Sequence, residues 1–240
     1  MRSLVFVHGY LGGSAQWADQ AEAFSPSFNV ITPDLPGYGL NHTMQAPAEI
    51  GAFADYVLGQ VREQGVERFD LVGHSMGGMI VQEMVARAPE RVDRLVLYGT
   101  GSVGLLPGRF ETIDESKRRV LADGVEATGR RISATWFVDY EAAPNYPVCA
   151  DLAVLASEQA ALAGLSAMET WSGEAALENI ESPTLVLWGD CDRTYLWSQQ
   201  QKLWQGIEGA RLGVIPGCAH AVHLEKPQLF NAMLADFLES

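Results

Sequence analysis

The sequence predicts an α/β protein: a mainly parallel, doubly wound sheet of about six strands, with an inserted helical segment. Short apolar runs typical of buried strands alternate with segments of helical periodicity. Between the fourth and fifth runs, over residues 100–182, the alternation stops and only helical segments follow one another. A chain of 240 residues is long enough to form one large core that carries such an insertion.

The predicted strands are rich in branched apolar residues, as expected where helices cover both faces of a parallel sheet. They span residues 4–7, 28–31, 69–72, 94–98, 184–188 and 211–215. Apolar residues spaced three or four apart predict the covering helices, at 14–24, 47–64, 76–88 and from 227 onward. We therefore expect residues 1–99 and 183–240 to form the core. The segment 100–182, called the insertion below, should form a helical lid over the carboxyl ends of the strands. Within it, helices are expected at 110–122, 125–137, 147–163 and 165–171.

Composition excludes several kinds of function. The net charge of −14 argues against nucleic acid or an anionic membrane surface as a partner, because phosphate binding needs clustered Lys and Arg. Cys149, Cys191 and Cys218 are far apart and lack metal-ligand spacing, which is typical of reduced thiols in the cytoplasm. We expect no signal peptide and no transmembrane segment, since the apolar runs are too short. The sequence thus predicts a cytoplasmic protein without a metal site.

The strongest chemical signal is the sequence Gly73-His74-Ser75-Met76-Gly77, between a predicted strand and a predicted helix. In a G-x-S-x-G turn, small residues on both sides allow the strained backbone that lifts the serine off the sheet. The hydroxyl then stands at a helix N-terminus, where free N–H groups favour a developing anion. Ser75 is therefore the candidate nucleophile.

A serine nucleophile needs a base, and the chain has five histidines. We favour His220, which follows the last strand and so lies at the same end of the sheet as Ser75. His223 is its rival. His74 should point away from the serine and serve in packing or hydrogen bonding, and His42 should be solvated.

A catalytic histidine also needs a carboxylate that fixes its tautomer. Asp190 and Asp192 both follow the strand at 184–188, and we favour Asp192 because it stands further into the loop. No acid follows the strand at 94–98 before Glu111, which strengthens this choice. The expected oxyanion donors are the backbone N–H groups of Met76 and Tyr10.

These motifs resemble those of the α/β-hydrolase superfamily over nearly the whole chain, including the order Ser, Asp, His. The resemblance implies that Asp34 belongs to a structural turn. Ser75 argues against dehalogenases and epoxide hydrolases, which place an aspartate at that position. The sequence departs from the larger members of the superfamily, since we expect a fold that lacks their N-terminal antiparallel hairpin. The insertion resembles that of enol-lactonases and small carboxylesterases. The residues that carry the resemblance are His8-Gly9 with Trp17, 34–39, 73–78, 189–192 and 217–220.

We therefore expect a cofactor-free serine hydrolase that cleaves a small carboxylic ester or lactone. The alternatives are a lyase or C–C bond hydrolase similar to the menaquinone-pathway synthase, and, less favoured, a ligand receptor on a hydrolase scaffold. Trp136, Phe137 and Trp188 are candidate substrate-binding residues, although such aromatics more often only pack. The arginines at 118, 119, 130 and 131 could meet a substrate carboxylate, but a solvated helix face is the favoured interpretation.

Overall fold

A computed structural model describes all 240 residues. Six strands form one sheet in the order β2-β1-β3-β4-β5-β6, and every neighbouring pair is parallel. The predicted fold class is therefore confirmed. The strands are β1 (Arg2–Val7), β2 (Phe28–Ile31), β3 (Phe69–His74), β4 (Val92–Tyr98), β5 (Thr184–Gly189) and β6 (Arg211–Ile215).

Nine α-helices accompany the sheet, and no single one is long and apolar enough to span a membrane. One adjacent pair, α5 and α6, reaches that length and composition only when joined across a bend of 105°. The helices are α1 (Ala18–Phe24), α2 (Ile50–Glu63), α3 (Met76–Arg87), α4 (Ile113–Ala134), α5 (Tyr146–Ala153), α6 (Glu158–Thr170), α7 (Trp197–Gly206), α8 (Val222–Glu225) and α9 (Pro227–Glu239).

Within the insertion, the helix boundaries differ from the predicted ones. The predicted segments 110–122 and 125–137 correspond to α4, which is broken at Gly124 by a backbone with φ of 82° and ψ of 166°. The predicted segment 147–163 is interrupted after α5, because the Ser157 side chain accepts a hydrogen bond from Ala160 N and starts α6 there.

The two faces of the sheet pack against different layers, as the alternation along β1 illustrates. Leu4 and Phe6 belong to a cluster of 17 buried residues that includes Phe24 of α1 and Phe230 of α9. Val5 and Val7 belong to a cluster of 50 buried residues that takes in α2, α3 and the helices of the insertion. The insertion thus shares one continuous hydrophobic core with the sheet.

Helix α6 lies against the loops at the carboxyl ends of β1 and β2. The Tyr10 hydroxyl donates to the carbonyl of Ala161 at 3.1 Å, and the Tyr38 hydroxyl donates to that of Ala160 at 2.9 Å. At Gly164, a Cβ atom would stand 2.1 Å from the Tyr38 hydroxyl and 2.9 Å from the Tyr10 ring. Only glycine permits this approach, which fixes α6 above these loops.

Candidate active site

Ser75 occupies the turn between β3 and α3 with φ of 58° and ψ of −121°, a region that non-glycine residues rarely adopt. Its N–H donates to the Tyr98 carbonyl at 3.0 Å. Its own carbonyl accepts from Gly78 N at 2.9 Å and from the Thr100 hydroxyl at 2.7 Å. These bonds hold the strained turn. The loop after β1 passes so close that a Cβ at Gly9 would stand 2.8 Å from the Ser75 Cβ.

His220 and Asp192 form a buried pair, with 2.8 Å between His220 Nδ1 and Asp192 Oδ2. An ionised carboxylate can only accept, so Nδ1 carries the proton and Nε2 is left as the basic nitrogen. The other oxygen of Asp192 accepts from Thr194 N at 2.7 Å and from Tyr195 N at 3.0 Å. Three donors therefore fix the carboxylate that orients the imidazole.

Asp190 and His223, the alternatives considered from the sequence, take no part in this pair. Asp190 is exposed and accepts from Gly217 N at 2.6 Å, so it joins the two loops that carry Asp192 and His220. The His223 ring packs on Trp17 with centroids 4.5 Å apart. Burial, followed by the nearby His220, lowers the pKa of His223 to about 3. This ring is a neutral core residue.

His74, next to Ser75 in sequence, points to the other side of the elbow. Its Nε2 lies 3.1 Å from the carbonyl oxygen of His220, to which it donates. Burial, together with the neighbouring His220 and His223, lowers its pKa well below the usual value. As a neutral donor, His74 supports the backbone of the His220 loop.

Tyr195 was not predicted from the sequence, and it lies between the cavity that Ser75 lines and the His220 ring. Its ring stacks on the His220 imidazole, with centroids 5.5 Å apart and an angle of 16° between the planes. Burial raises the pKa of its hydroxyl to about 12, so it remains a neutral phenol. The only sequence signal for it is its place three residues after Asp192. This one side chain thus borders both the serine cavity and the histidine.

Two backbone N–H groups are available beside the serine. Met76 is the first residue of α3, so its N–H lies outside the intrahelical ladder, and Tyr10 N–H also has no backbone acceptor. Buried His8 fixes the Tyr10 loop: its Nδ1 donates to the Gly9 carbonyl at 2.8 Å, and its Nε2 accepts from Leu35 N at 3.0 Å. Burial lowers the pKa of His8, which keeps it in the neutral form that this pattern requires.

The turn around Asp34 is structural, as the resemblance implied. Its two carboxylate oxygens accept from the backbone N of Ser14 at 2.7 Å and from the Ser14 hydroxyl at 2.8 Å. Nowhere in the chain do three or more His, Cys, Asp or Glu side chains gather in a way that could hold a metal ion.

A cavity of about 20 Å³, roughly the space of one water molecule, opens beside Ser75. Of the three aromatics predicted to contact substrate, the structure places only Trp136 on it. Phe137 is buried against Tyr146 instead, and the Trp188 indole donates to the Tyr195 carbonyl at 2.8 Å, so both are packing residues. The lining residues are Tyr10, Ser75, Gly104, Leu106, Arg109, Ile132, Trp136, Met168, Thr194 and Tyr195.

Comparison of the sequence with known proteins gives a match over residues 2–227 to the family described as alpha/beta hydrolase fold. A protein of Agrobacterium fabrum named "Putative carbamate hydrolase RutD" is 28% identical over 243 residues, covering 98% of this chain and 92% of its own. A 2-hydroxy-6-oxo-6-phenylhexa-2,4-dienoate hydrolase of Comamonas testosteroni is 27% identical over 259 residues, covering 98% of this chain and 87% of its own.

Solved structures show the same architecture. The enol-lactonase from Burkholderia xenovorans LB400 aligns with a TM-score of 0.89 and 23% identity, over 100% of this chain and 93% of its own. A thermophilic esterase from Thermogutta terrifontis aligns with a TM-score of 0.90 and 22% identity, over 100% of this chain and 90% of its own. At this identity the likeness concerns the fold, while the family match covers nearly the whole sequence. The chain belongs to the α/β-hydrolase family.

Proposed function

We propose that the protein is a serine hydrolase that cleaves a small carboxylic ester or lactone through an acyl-enzyme on Ser75, without a cofactor. The observation that carries the proposal is the buried His220–Asp192 pair, which packs against Tyr195 at the cavity that Ser75 lines. This arrangement supports the roles of nucleophile for Ser75, base for His220 and orienting acid for Asp192.

In the first half of the reaction, Ser75 Oγ attacks the carbonyl carbon and its proton passes to His220 Nε2. Negative charge develops on the carbonyl oxygen, where the N–H groups of Met76 and Tyr10 and the N-terminus of α3 stabilise it. Asp192 stabilises the imidazolium without taking its proton. The tetrahedral intermediate then collapses, and the leaving oxygen takes the proton from His220.

In the second half, water attacks the acyl-enzyme while His220 Nε2 takes its proton. When the second tetrahedral intermediate collapses, the bond to Ser75 Oγ breaks, His220 returns the proton to that oxygen, and the carboxylic acid is released. When the substrate is a lactone, the leaving alcohol stays attached to the acyl group. The product is then a single hydroxy acid.

A C–C bond hydrolase or lyase is the second candidate, because it can use the same serine–histidine pair for proton transfer. The relative named as a 2-hydroxy-6-oxo-6-phenylhexa-2,4-dienoate hydrolase favours it. A carbamate, as in the name of the Agrobacterium relative, would react through the same acyl transfer as an ester.

The test is a panel of short-chain 4-nitrophenyl esters and small lactones, assayed with wild type, Ser75→Ala and the matched control Ser166→Ala in α6, whose hydroxyl makes no hydrogen bond. We expect S75A to lower kcat by about 10⁴- to 10⁶-fold and S166A to leave it unchanged. A fluorophosphonate probe should label wild type at Ser75. Undiminished hydrolysis by S75A would refute the proposal. The second candidate would be favoured if the probe labels Ser75 and the protein cleaves 2-hydroxy-6-oxo-6-phenylhexa-2,4-dienoate, added to the panel, but none of the esters or lactones.

A further inference from the structure

Arg109 stands on the loop between β4 and α4 and lines the cavity beside Ser75, together with Tyr10 and Tyr195. Its guanidinium forms no ion pair. It also donates no hydrogen bond to any acceptor in the protein, whereas Arg131 and Arg193, which are likewise partly buried, do find acceptors. The one defined contact of the guanidinium is with the Phe110 ring, whose centroid lies 5.2 Å from Arg109 Cζ. The ring packs on one face of the guanidinium and does not neutralise its charge. Arg109 is therefore a cation without a protein counter-ion at the reaction centre.

The other arginines of the insertion are already neutralised. Glu111, the acid nearest to Arg109 in sequence, is bound by Arg131 at 2.9 Å and by Arg119 at 3.1 Å. Arg118 pairs with Glu115, and Arg130 lies 3.3 Å from Glu126. The four arginines considered from the sequence as possible carboxylate ligands thus have acidic partners.

The cavity beside Ser75 offers Arg109 no anion, because none of the 10 residues that line it is acidic. Glu111 lies near enough to act on the Arg109 charge, but its carboxylate is already paired with Arg131 and Arg119. Burial lowers the pKa of Arg109, although a guanidinium remains charged at neutral pH. A charge that is largely removed from water and lacks a partner is unfavourable, so an anionic ligand would be bound with a gain in free energy.

The other polar side chains on the cavity wall are neutral. The Tyr10 hydroxyl donates to the Ala161 carbonyl, and the Thr194 hydroxyl is buried without a protein partner. The guanidinium is therefore the one cationic donor on the cavity wall. Its planar fork matches the two oxygens of a carboxylate, and its single positive charge suits a monoanion better than a phosphate dianion.

We propose that Arg109 binds a carboxylate of the substrate, so that the preferred substrate is an ester or lactone that carries one free carboxylate near its scissile acyl group. This proposal rests on the proposed function, since it names the substrate class of the same site. Arg109 is a substrate-binding residue that sets specificity, and the chemistry remains with Ser75, His220 and Asp192.

The test compares matched pairs of 4-nitrophenyl esters: the monoesters of glutarate, adipate and pimelate against the pentanoate, hexanoate and heptanoate. Each pair differs by a carboxylate in place of a methyl group. Wild type should show a higher kcat/KM for the acidic member of at least one pair. Arg109→Gln should lower the acidic-to-neutral ratio by about 10- to 100-fold, the value of a charge-assisted hydrogen bond. Arg109→Lys should restore part of the ratio, because it keeps the charge but loses the fork.

Arg118→Gln is the control, because Arg118 is exposed and paired outside the cavity. It should leave the ratio unchanged, and thermal unfolding should show that every variant is folded. A second arm avoids turnover: monomethyl adipate is titrated calorimetrically into S75A and S75A/R109Q. Binding should be at least about tenfold weaker in the double variant.

The two proposals fail in different ways. If neither class of ester is cleaved but R109Q abolishes the binding of monomethyl adipate, the proposed function is wrong and the carboxylate site stands. If neutral esters are cleaved and wild type has no acidic preference, or if R109Q leaves both the ratio and the binding unchanged, the carboxylate proposal is overturned and the hydrolase stands.

Discussion

The Tyr195 ring and the His220 imidazole are stacked 5.5 Å apart with only 16° between their planes. Asp192 holds the His220 ring at one nitrogen only, by the hydrogen bond to Nδ1. The stacked phenol packs on a face of the ring and limits its tilt about that contact. We therefore expect Tyr195 to act as a positioning residue for the imidazole.

Two substitutions of Tyr195 should separate the contribution of the ring from that of the hydroxyl. Tyr195→Phe keeps the stacking and should slow fluorophosphonate labelling of Ser75 by less than about tenfold. Tyr195→Ala should slow it by about 10², because small misplacements of a base have effects of that size. Equal losses in the two variants would show that the hydroxyl, rather than the ring, is responsible.

Substitutions of the two aspartates after β5 should differ sharply in their effect on kcat. Asp192→Asn should lower kcat by about 10⁴-fold, because an amide does not stabilise the imidazolium and favours the wrong tautomer. Asp190→Asn alters only exposed contacts, with Gly217 N and the Cys191 thiol, and should reduce kcat by less than about tenfold. The measurement is kcat on one 4-nitrophenyl ester, with folding checked by circular dichroism. A larger loss in D190N would reverse the assignment of the acid.

Two adjacent aromatics of the insertion should also give different results. Trp136 lines the cavity, with its ring 6.0 Å from that of His220, so Trp136→Ala should alter discrimination between acyl chain lengths by about 1–3 kcal/mol. Phe137 is buried away from the cavity. Phe137→Ala should lower the free energy of unfolding by about 3–5 kcal/mol and leave the ranking of esters unchanged. A changed ranking in F137A alone would contradict this division.

Acid should destabilise the protein partly through His223. Its pKa is about 3 in the folded state against an ordinary value of 6.5. Between these values the unfolded chain binds the extra proton, so the free energy of unfolding rises with pH and falls as the solution is acidified. From pH 7 to pH 5 this one group removes roughly 2 kcal/mol.

His223→Gln should therefore reduce the pH dependence of the unfolding free energy, measured with urea at pH 7 and pH 5. The control is His42→Gln, because His42 is exposed and lies outside the buried histidine cluster. An H223Q protein that loses as much stability between these pH values as wild type would contradict the prediction.

Local sequence signals predicted the sheet and the positions of Ser75, Asp192 and His220. Each of these residues follows a strand with a strong apolar pattern, and the carboxyl ends of parallel strands meet at one edge. The preference for Asp192 over Asp190 and for His220 over His223 depended on loop position, and the structure places both preferred residues in one hydrogen bond.

Residues brought to the site by the packing of the insertion could not be predicted in this way. Arg109 belongs to no motif. It reaches the cavity because its loop is held at both ends, by hydrogen bonds from Gly104 N to the Trp171 carbonyl and from Phe110 N to the Arg193 carbonyl. Phe137 and Trp188 have the same apolar character as Trp136. Which aromatic side chain faces Ser75 depends on helix rotation and on single hydrogen bonds, such as that from the Trp188 indole to the Tyr195 carbonyl.

A cavity of about 20 Å³ is far smaller than even a short ester. A substrate therefore reaches Ser75 only when the cavity widens. Movement of α6 away from the core would widen it and would break contacts such as that of the Tyr10 hydroxyl with Ala161. If only a fraction f of the molecules is open at any time, the apparent dissociation constant is the intrinsic one divided by f. Substitutions that weaken the packing of α6 on the core, far from any reacting atom, would raise f. They would then tighten apparent substrate binding while the rate of acylation stays the same.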